Sequence, residues 1–373
     1  MKILISGDFC PNNRVVKLVD RLDYKTIFND FIDLNEKADY SLVNLECPIK
    51  IGDSKGIKKV GPVLFTNENA VEVLVKAGFK GVTLANNHIK DIGEKGVLDT
   101  VEVCSKYGLD VVGAGKNKTD ASEILYKTIE GVKIGIYNVA ENEFSIASED
   151  SGGGNPHDPI EDYYAIREAN KNCDFLVVVY HGGHESYSLP SPRMKKLFRF
   201  YIDSGASVVV CHHAHRYSGY EVYKGAPVFY GLGNFCFDWK GTHNTLWNEG
   251  YSVLLDFSKG KSIDFKIYAY KQGLEDCEGV RLLNEEEEEK FRSSINELNE
   301  IIKDDLRLVE AFNSFCKERR YGYLVNFEPY NNKISRMLFR RGILPSFLRE
   351  KKVINYFRCD SHLDVVRNLL QEK

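Results

Sequence analysis

The chain has 373 residues, 43% of them hydrophobic, and its 50 Lys and Arg against 54 Asp and Glu leave a formal net charge of −4. This length suits two domains, or one large domain with an appendage, and this apolar content excludes wholesale disorder. The near-neutral balance argues against a nucleic-acid binder, because such a protein presents a basic surface. No apolar run approaches the roughly 18 residues that a membrane-spanning helix needs.

The cysteines and the N-terminus both bear on the cellular compartment. Nine cysteines lie scattered between Cys10 and Cys359 without paired spacing, which is typical of reduced thiols and not of a disulfide framework. The apolar stretch at the N-terminus is too short for a signal peptide. We therefore expect a soluble, cytoplasmic protein.

Short β-branched runs alternate with amphipathic stretches up to about residue 270. The predicted strands are, in chain order, 3–6, 40–44, 81–84, 111–113, 133–138, 175–180, 207–211 and 227–230. Several are apolar nearly throughout, which is typical of strands covered on both faces of the sheet. Helical periodicity between them, as in 67–76 and 93–107, predicts an α/β layered fold. The later runs 251–257 and 263–270 alternate and predict antiparallel strands.

The composition changes after Gly273. Asn284 precedes a run of five glutamates and then an apolar stripe, which predicts a helix with an N-cap and acidic first turns. We interpret the glutamates as a solvated helix face. Residues 1–272 are thus predicted to form the main domain, and residues 273–373 a mostly helical C-terminal extension.

A basic segment, residues 333–358, lies within this extension. It carries eight Lys or Arg against one Glu, a local charge of +7, with apolar side chains interleaved. Such a segment suits peripheral contact with an anionic membrane, here the inner face, or with an acidic partner. The alternative is an ordinary helix pair that packs on the main domain with an exposed basic face.

Side chains that can bind metal follow several of the predicted strands. They are Asp8, Glu46, Asn87 with His88, His181 with His184 and Glu185, and His213 with His215. Each alone is explained as a helix cap or a core residue, but sites in α/β sheets are assembled at the carboxyl ends of strands. Carboxylates, an amide and several imidazoles together suit Mn, Fe or Zn better than calcium, which takes oxygen ligands only. The series predicts a metal site.

The order of the motifs resembles the CapA family, the bacterial capsule or poly-γ-glutamate biosynthesis proteins among the calcineurin-like metallophosphoesterases. The resemblance covers about residues 1–270. The matching stretches are Gly7-Asp8, Asn44-Leu45-Glu46, Ala85-Asn86-Asn87-His88 with Asp91 and Gly93, His181-Gly182-x-x-Glu185, His213-x-His215, and Leu232-Gly233-Asn234-Phe235-x-Phe237-Asp238.

The resemblance implies a four-layer α/β sandwich of two packed β-sheets flanked by helices, with a metal site at one edge. It implies that one or two divalent ions are bound by Asp8, Glu46, Asn87, His181, His213 and His215. Phosphate ester hydrolysis would then use a metal-activated hydroxide as nucleophile. His88 would be the general acid, and the Asn87 amide could also reach a phosphate oxygen.

One position departs from many metallophosphoesterases, which carry a histidine where this chain has Cys10. One metal is then short of a ligand unless Cys10, His184 or Glu185 substitutes. A Cys10 thiolate would favour Zn or Fe, and the alternative is a buried structural thiol. Asn234 and Asp238 either orient metal-bound histidines or cap turns. The glycine-rich loop 141–157 is either a lid or a plain surface loop.

Two functions are compatible with these features. The first is a metal-dependent phosphoesterase that hydrolyses a phosphorylated saccharide or polymer intermediate in surface polysaccharide or poly-γ-glutamate type biosynthesis. The second is a non-hydrolytic accessory subunit of a capsule or polymer-synthesis complex, which would contact polymer-synthesis enzymes and bind an anionic polymer or acyl phosphate. No nucleic-acid partner is expected.

Overall fold

The computed structural model describes residues 1–260 and 262–347, and after them residues 353, 357, 359, 362, 363, 365 and 366. The chain divides into two compact units, Met1–Val309 and Glu310–Lys373. The domain boundary predicted at 272/273 lies inside the first unit. Residues 348–352, 354–356 and 358 of the predicted basic segment lie outside the described residues.

The strands all belong to the first unit. They are, in chain order, β1 (Lys2–Phe9), β2 (Tyr40–Leu45), β3 (Gly81–Thr83), β4 (Asp110–Val112), β5 (Ala114–Gly115), β6 (Leu125–Ile129), β7 (Val132–Ala140), β8 (Gly153–Gly154), β9 (Phe175–His181), β10 (Val208–His212), β11 (Tyr220–Tyr223), β12 (Ala226–Phe229), β13 (Asn234–Cys236), β14 (Glu249–Asp256), β15 (Asp264–Gln272) and β16 (Val280–Leu282). Each strand that the sequence predicts corresponds to one of these. The short strands β5, β6, β8, β11, β13 and β16 were not predicted.

The described residues also form α-helices. They are α1 (Arg14–Asp20), α2 (Tyr24–Phe28), α3 (Phe31–Asn35), α4 (Asn69–Lys76), α5 (Gly93–Lys106), α6 (Lys118–Ala121), α7 (Pro159–Asn172), α8 (Pro192–Ser204), α9 (Glu285–Lys303), α10 (Asp305–Leu324) and α11 (Lys333–Arg340). In the described part of the chain, no helix combines the length and the apolarity needed to cross a membrane.

Two large sheets form the centre of the first unit. The first has the order β16-β15-β14-β1-β2-β3-β4, with β13 also pairing with β1, and the second has the order β11-β12-β10-β9-β7-β6. Strands β1 to β4 are parallel, as are β7, β9, β10 and β12. Strands β14 and β15 are antiparallel, which confirms the prediction from their alternating sequences.

Three apolar clusters separate the four layers. Ile3 and Ile5 of β1 lie with Val177 and Val208 of the second sheet in one buried cluster, so the two sheets pack face to face. Leu4 and Phe9 point to the other face of β1 and pack with helices α1 to α5. Helices α7 and α8 cover the outer face of the second sheet. This arrangement confirms the predicted four-layer sandwich with a helical C-terminal region.

Helix α9 begins as its sequence predicts. Asn284 caps it, and Glu287 completes a capping box by accepting the Asn284 backbone N–H. Phe291 and Ile295, from the predicted apolar stripe, are buried in the cluster between the sheets. Residues 273–309 therefore contribute to the core of the first unit.

Candidate metal centre

Asp8 lies at the end of β1, where the neighbouring strands supply its hydrogen-bond donors. Asn44 Nδ2 donates to Oδ1 over 2.8 Å, and the His213 backbone N–H donates to Oδ2 over 3.3 Å. The His212 Nδ1 atom lies 3.1 Å from Oδ1. Burial by itself raises the pKa of Asp8, but the contact with His212 and the nearby imidazoles outweigh it and hold this pKa well below its usual range. Asp8 is therefore a carboxylate at neutral pH.

Glu46 follows β2 and has the opposite environment. Its side chain is fully buried, and neither carboxylate oxygen has a hydrogen-bond partner. The nearest imidazole nitrogens are His181 Nε2 at 3.5 Å and His215 Nε2 at 3.9 Å from Oε1. Burial and the charge of Asp8 raise the pKa of Glu46. A buried carboxyl group without a donor is costly, and a bound cation would supply the missing partner.

Two groups of three side chains meet the requirements of a metal site among the described residues. Glu46, His181 and His213 form one, and Asp8, Glu46 and His215 form the other; within each group the donor atoms lie within 4.8 Å of one another. Glu46 belongs to both, as expected for a carboxylate shared by two ions. Asn87 adjoins the first group, since its Oδ1 lies 3.0 Å from His181 Nε2. The donor set therefore fits one or two divalent metals.

The three histidines of these groups are buried and electrically neutral. Burial lowers the pKa of His181 and of His215, and burial together with the neighbouring His215 lowers that of His213 to about 4. A histidine must be neutral to bind a metal, so these side chains need no deprotonation at pH 7. His213 and His215 also have positive φ angles of 97° and 55°, a strained backbone of the kind found at functional sites.

Asn234, the first residue of β13, orients His215. Asn234 donates through Nδ2 to the carbonyl groups of His215 and Trp247, so its Oδ1 is an acceptor for His215 Nδ1, 2.9 Å away. This contact leaves His215 Nε2, the nitrogen nearer Glu46, available for a metal. The Trp247 ring stacks beside the His215 ring at 4.6 Å. Gly233 next to Asn234 has φ of +80°, a conformation that favours glycine.

His88 lies beside the donor set on the turn after β3. Its Nδ1 lies 2.7 Å from Asp91 Oδ2, and its backbone N–H donates to Asn86 Oδ1 over 3.1 Å. The Lys59 side chain also reaches this turn, with Nζ 2.5 Å from Asp91 Oδ1. Because Asp91 holds Nδ1, the Nε2 of His88 is the nitrogen that can exchange a proton with a substrate.

The remaining predicted residues have different surroundings. Cys10 is buried, and burial with the adjacent Cys47 raises its pKa, which favours a neutral thiol. Neither Cys10 nor the half-buried His184 nor the exposed Glu185 belongs to the two groups of metal donors found among the described residues. Asp238 contacts Arg14 at 2.9 Å and His243 at 3.1 Å, and His243 belongs to neither group.

Loop 141–157 contains β8, which pairs with β5, and is tied to the site through Ser145. This buried side chain donates to the Asn87 carbonyl oxygen over 2.7 Å.

Four residues near the centre were missed at the sequence level: Asn44, Lys59, His212 and Trp247. Asn44 and His212 are neighbours of predicted ligands in the chain, and this adjacency is a signal that could have identified them. Lys59 lies in a stretch without regular structure, and Trp247 lies in the short 3-10 helix Leu246–Asn248. Neither belongs to a recognisable motif, so their approach to the site depends on the tertiary fold.

The four-layer sandwich carries this donor set at one edge, and the donor set defines a candidate metal centre. A family model described as bacterial capsule synthesis protein PGA_cap matches residues 2–239. The chain belongs to this family, and the matched part contains all residues of the two donor groups.

Several curated proteins are similar to a large part of this chain. It is 33% identical over 240 residues to the capsule biosynthesis protein CapA of Bacillus anthracis, covering 62% of this chain and 58% of that protein. It is 34% identical over 247 residues to the PGA biosynthesis protein CapA of Bacillus subtilis, covering 64% of each. A probable polyglutamine synthesis accessory protein of Mycobacterium tuberculosis is 27% identical over 258 residues, covering 62% of this chain and 66% of that protein. The chain thus spans less than two thirds of the length of the two CapA proteins.

Solved structures with a similar course of the backbone include two hydrolases. A novel phosphatase from Mycoplasma pneumoniae has a TM-score of 0.46 at 17% identity, covering 72% of this chain and 92% of that one. A 5′-nucleotidase from Candida albicans has a TM-score of 0.42 at 9% identity, covering 86% of this chain and 58% of that one.

Proposed function

We propose that this protein is a metal-dependent phosphoesterase that hydrolyses a phosphate ester during biosynthesis of a surface polysaccharide or poly-γ-glutamate type polymer. The environment of Glu46 is the observation that supports this most strongly. Its buried carboxyl group has no hydrogen-bond donor and belongs to both groups of metal donors. The polymer pathway is suggested by the family and by the names of the two CapA relatives.

The donor groups indicate which residues would hold the ions. Asp8, Glu46 and His215 would hold one, and Glu46, His181 and His213, with Asn87 beside them, the other. Mixed oxygen and imidazole donors favour Mn, Fe or Zn. When bound, such ions lower the pKa of water to about 7 and neutralise the charge on phosphoryl oxygens.

His88 and Asn87 would act on the substrate directly. With Nδ1 held by Asp91, His88 would donate a proton from Nε2 to the leaving oxygen as the phosphorus–oxygen bond breaks. Asn87 carries amide N–H groups that can hold a phosphoryl oxygen. Asn234 and Asn44 would keep His215 and Asp8 in their orientations.

The test is hydrolysis of 4-nitrophenyl phosphate and bis(4-nitrophenyl) phosphate by the full chain purified with Mn²⁺. We expect a turnover that a chelator abolishes. His88→Ala should lower kcat for phenyl phosphate, whose leaving oxygen needs protonation, by about 10²–10⁴ while retaining metal, since general acid catalysis contributes that much. The loss with 4-nitrophenyl phosphate should be much smaller. His213→Ala should lose both metal and turnover.

The matched control is His243→Ala, because His243 contacts Asp238 and Arg14 and belongs to neither donor group. Absence of turnover by the wild-type protein, or turnover that is unchanged in His88→Ala and His213→Ala, would contradict the hydrolase proposal.

A second candidate function is a non-hydrolytic accessory subunit that binds an anionic polymer or acyl phosphate at the same site. It is favoured by the name of the mycobacterial relative, a probable synthesis accessory protein. Co-purification with a polymer synthase at a fixed stoichiometry, preserved in His213→Ala, would support it. Hydrolysis of phosphate esters by the wild-type protein, with a kcat in the range of typical enzymes, would argue against this accessory function.

We propose that the second unit contacts an anionic lipid membrane through helix α11. Helix α11 exposes Ile334 and Met337 together with Lys333 and Arg340, so apolar and cationic groups share one short segment. We expect the full chain to sediment with phosphatidylglycerol vesicles and not with phosphatidylcholine vesicles. Lys333→Glu with Arg340→Glu should weaken this binding, and equal binding to both vesicle types would contradict the assignment.

A further inference from the structure

Lys59 is a buried lysine beside the proposed general acid. It belongs to the segment between β2 and α4, most of which has no regular structure, yet only 4% of its side chain is exposed. Its Nζ lies 2.5 Å from Asp91 Oδ1 and 3.4 Å from the Asn87 carbonyl oxygen. The neighbouring Lys58 is exposed. A buried ammonium group is costly unless it is paired, so the position of Lys59 depends on these contacts.

Asp91 joins this segment to the His88 turn. Its side chain is fully buried, and its Oδ2 accepts the Leu64 backbone N–H over 2.7 Å in addition to the contact with His88 Nδ1. Its own carbonyl oxygen accepts the Ile57 backbone N–H over 2.9 Å. Both ends of the stretch 57–64 are thereby held at one residue, Ile57 by the backbone carbonyl of Asp91 and Leu64 by its carboxylate. Lys59 provides the countercharge for that carboxylate.

The distances also decide which group Lys59 serves. His88 Nδ1 lies 2.7 Å from Asp91 Oδ2, a separation that requires a proton between nitrogen and oxygen. Lys59 Nζ lies 3.2 Å from the same Nδ1, but a protonated Nδ1 cannot accept a further hydrogen bond. Lys59 therefore acts on Asp91 and on the Asn87 carbonyl, and it reaches His88 only through Asp91.

We infer that Lys59 is a positioning residue that fixes the Asp91 carboxylate and, through it, the tautomer and orientation of His88. This inference rests on the proposed phosphoesterase function for its kinetic consequence and on geometry alone for its structural one. In a protein without Lys59, Asp91 would remain buried without its countercharge. The Nδ1–H to Asp91 hydrogen bond would then no longer be held in one geometry.

The kinetic test compares two substrates in Lys59→Met. Phenyl phosphate has a poor leaving group that needs protonation by His88, whereas 4-nitrophenyl phosphate needs it much less. Because general acid catalysis is typically worth 10²–10⁴, we expect kcat to fall about 10–100-fold for phenyl phosphate and less than about 3-fold for 4-nitrophenyl phosphate. KM should be unchanged for both, and Lys58→Met should behave as wild type.

Two further variants keep the test informative if Lys59→Met is unstable. Lys59→Met combined with Asp91→Asn removes both buried charges, and its kcat should be no lower than that of Asp91→Asn alone, since Lys59 acts through Asp91. Lys59→Arg retains the charge and should restore part of the loss with phenyl phosphate. An equal loss with both substrates, or additive effects of the two substitutions, would overturn the inference.

A spectroscopic measurement is independent of turnover. The imidazole Nδ1–H of His88 should give a downfield proton resonance in the metal-free protein, assigned by its loss in His88→Ala. We expect this resonance to shift or broaden in Lys59→Met and to be retained in Lys58→Met. An unchanged resonance in Lys59→Met would refute the inference. If the wild-type protein hydrolyses neither phosphate, the proposed function fails, and this measurement still decides the role of Lys59.

Discussion

Glu46→Gln should make the metal-free protein more stable although it removes a proposed metal ligand. Glu46 and Asp8 are both fully buried carboxylates a few ångströms from the same histidines, but their hydrogen bonding differs. Asp8 accepts hydrogen bonds from Asn44 Nδ2 and from the His213 backbone N–H. Glu46 accepts none, and it is repelled by the charge of Asp8. Glutamine keeps the shape of the side chain and removes the charge.

The magnitude follows from the difference between an unpaired charged group and an unpaired neutral one. An unpaired buried polar group costs about 1–3 kcal/mol and a charged group costs more, so exchanging the Glu46 carboxylate for a neutral amide should raise the free energy of unfolding of the metal-free protein by about 1 kcal/mol or more. At an unfolding entropy of about 2.1 cal/mol/K per residue, a change of 1 kcal/mol shifts Tm by about 1–2 °C in a unit of this size. Asp8→Asn should do the opposite, because the amide nitrogen of asparagine cannot accept the hydrogen bonds that the carboxylate accepts.

The assay is thermal unfolding of wild type, Glu46→Gln and Asp8→Asn, in a chelator and in Mn²⁺ at pH 8. Metal at 100 times its Kd would stabilise the wild type by about 2.7 kcal/mol, and both variants should lose this gain. Our reasoning fails if Glu46→Gln is less stable than wild type in the chelator. It also fails if either variant is stabilised by Mn²⁺ as much as the wild type is.

Two further predictions concern stability away from the metal centre. The Arg281 hydrogen bond holds the pKa of Glu287 well below its usual range. The ionised Glu287 side chain therefore stabilises the folded protein above the pKa that glutamate has in the unfolded chain, and this contribution is lost as the pH falls. Glu287→Gln should lower the free energy of unfolding, measured in urea, by about 0.5–1 kcal/mol at pH 7 and by less toward pH 2. The control Glu286→Gln should lower it little at either pH. An equal loss for Glu287→Gln at both pH values would contradict this prediction. Phe235 packs against four other aromatic rings, whereas Phe144 is exposed. Phe235→Ala should therefore lower the free energy of unfolding by about 3–5 kcal/mol, and Phe144→Ala by less than about 0.5 kcal/mol. Similar losses for the two variants would contradict the packing argument.

Much of the fold was predictable because its signals are local. Apolar, β-branched runs indicate strands covered on both faces, and an Asn followed three residues later by a glutamate indicates the start of a helix, as at Asn284. The short strands β11 and β13 were missed, since three or four residues carry little periodicity. The predicted domain boundary near residue 272 was placed where the composition changes. Phe291 and Ile295 lie beyond that boundary, yet their side chains are buried between the two sheets.

The sequence by itself predicted the candidate metal donors, because they lie at the ends of predicted strands and parallel strands bring their carboxyl ends to one edge of a sheet. Only the tertiary structure decided which of these residues lie in the same donor group and which other side chains they contact. The two sheets place Glu46 in both donor groups without a hydrogen-bond donor, and the segment before α4 brings Lys59 to Asp91, 32 residues away. Such contacts join distant parts of the chain, and their geometry is set by the packing of sheets and loops, which no local periodicity encodes.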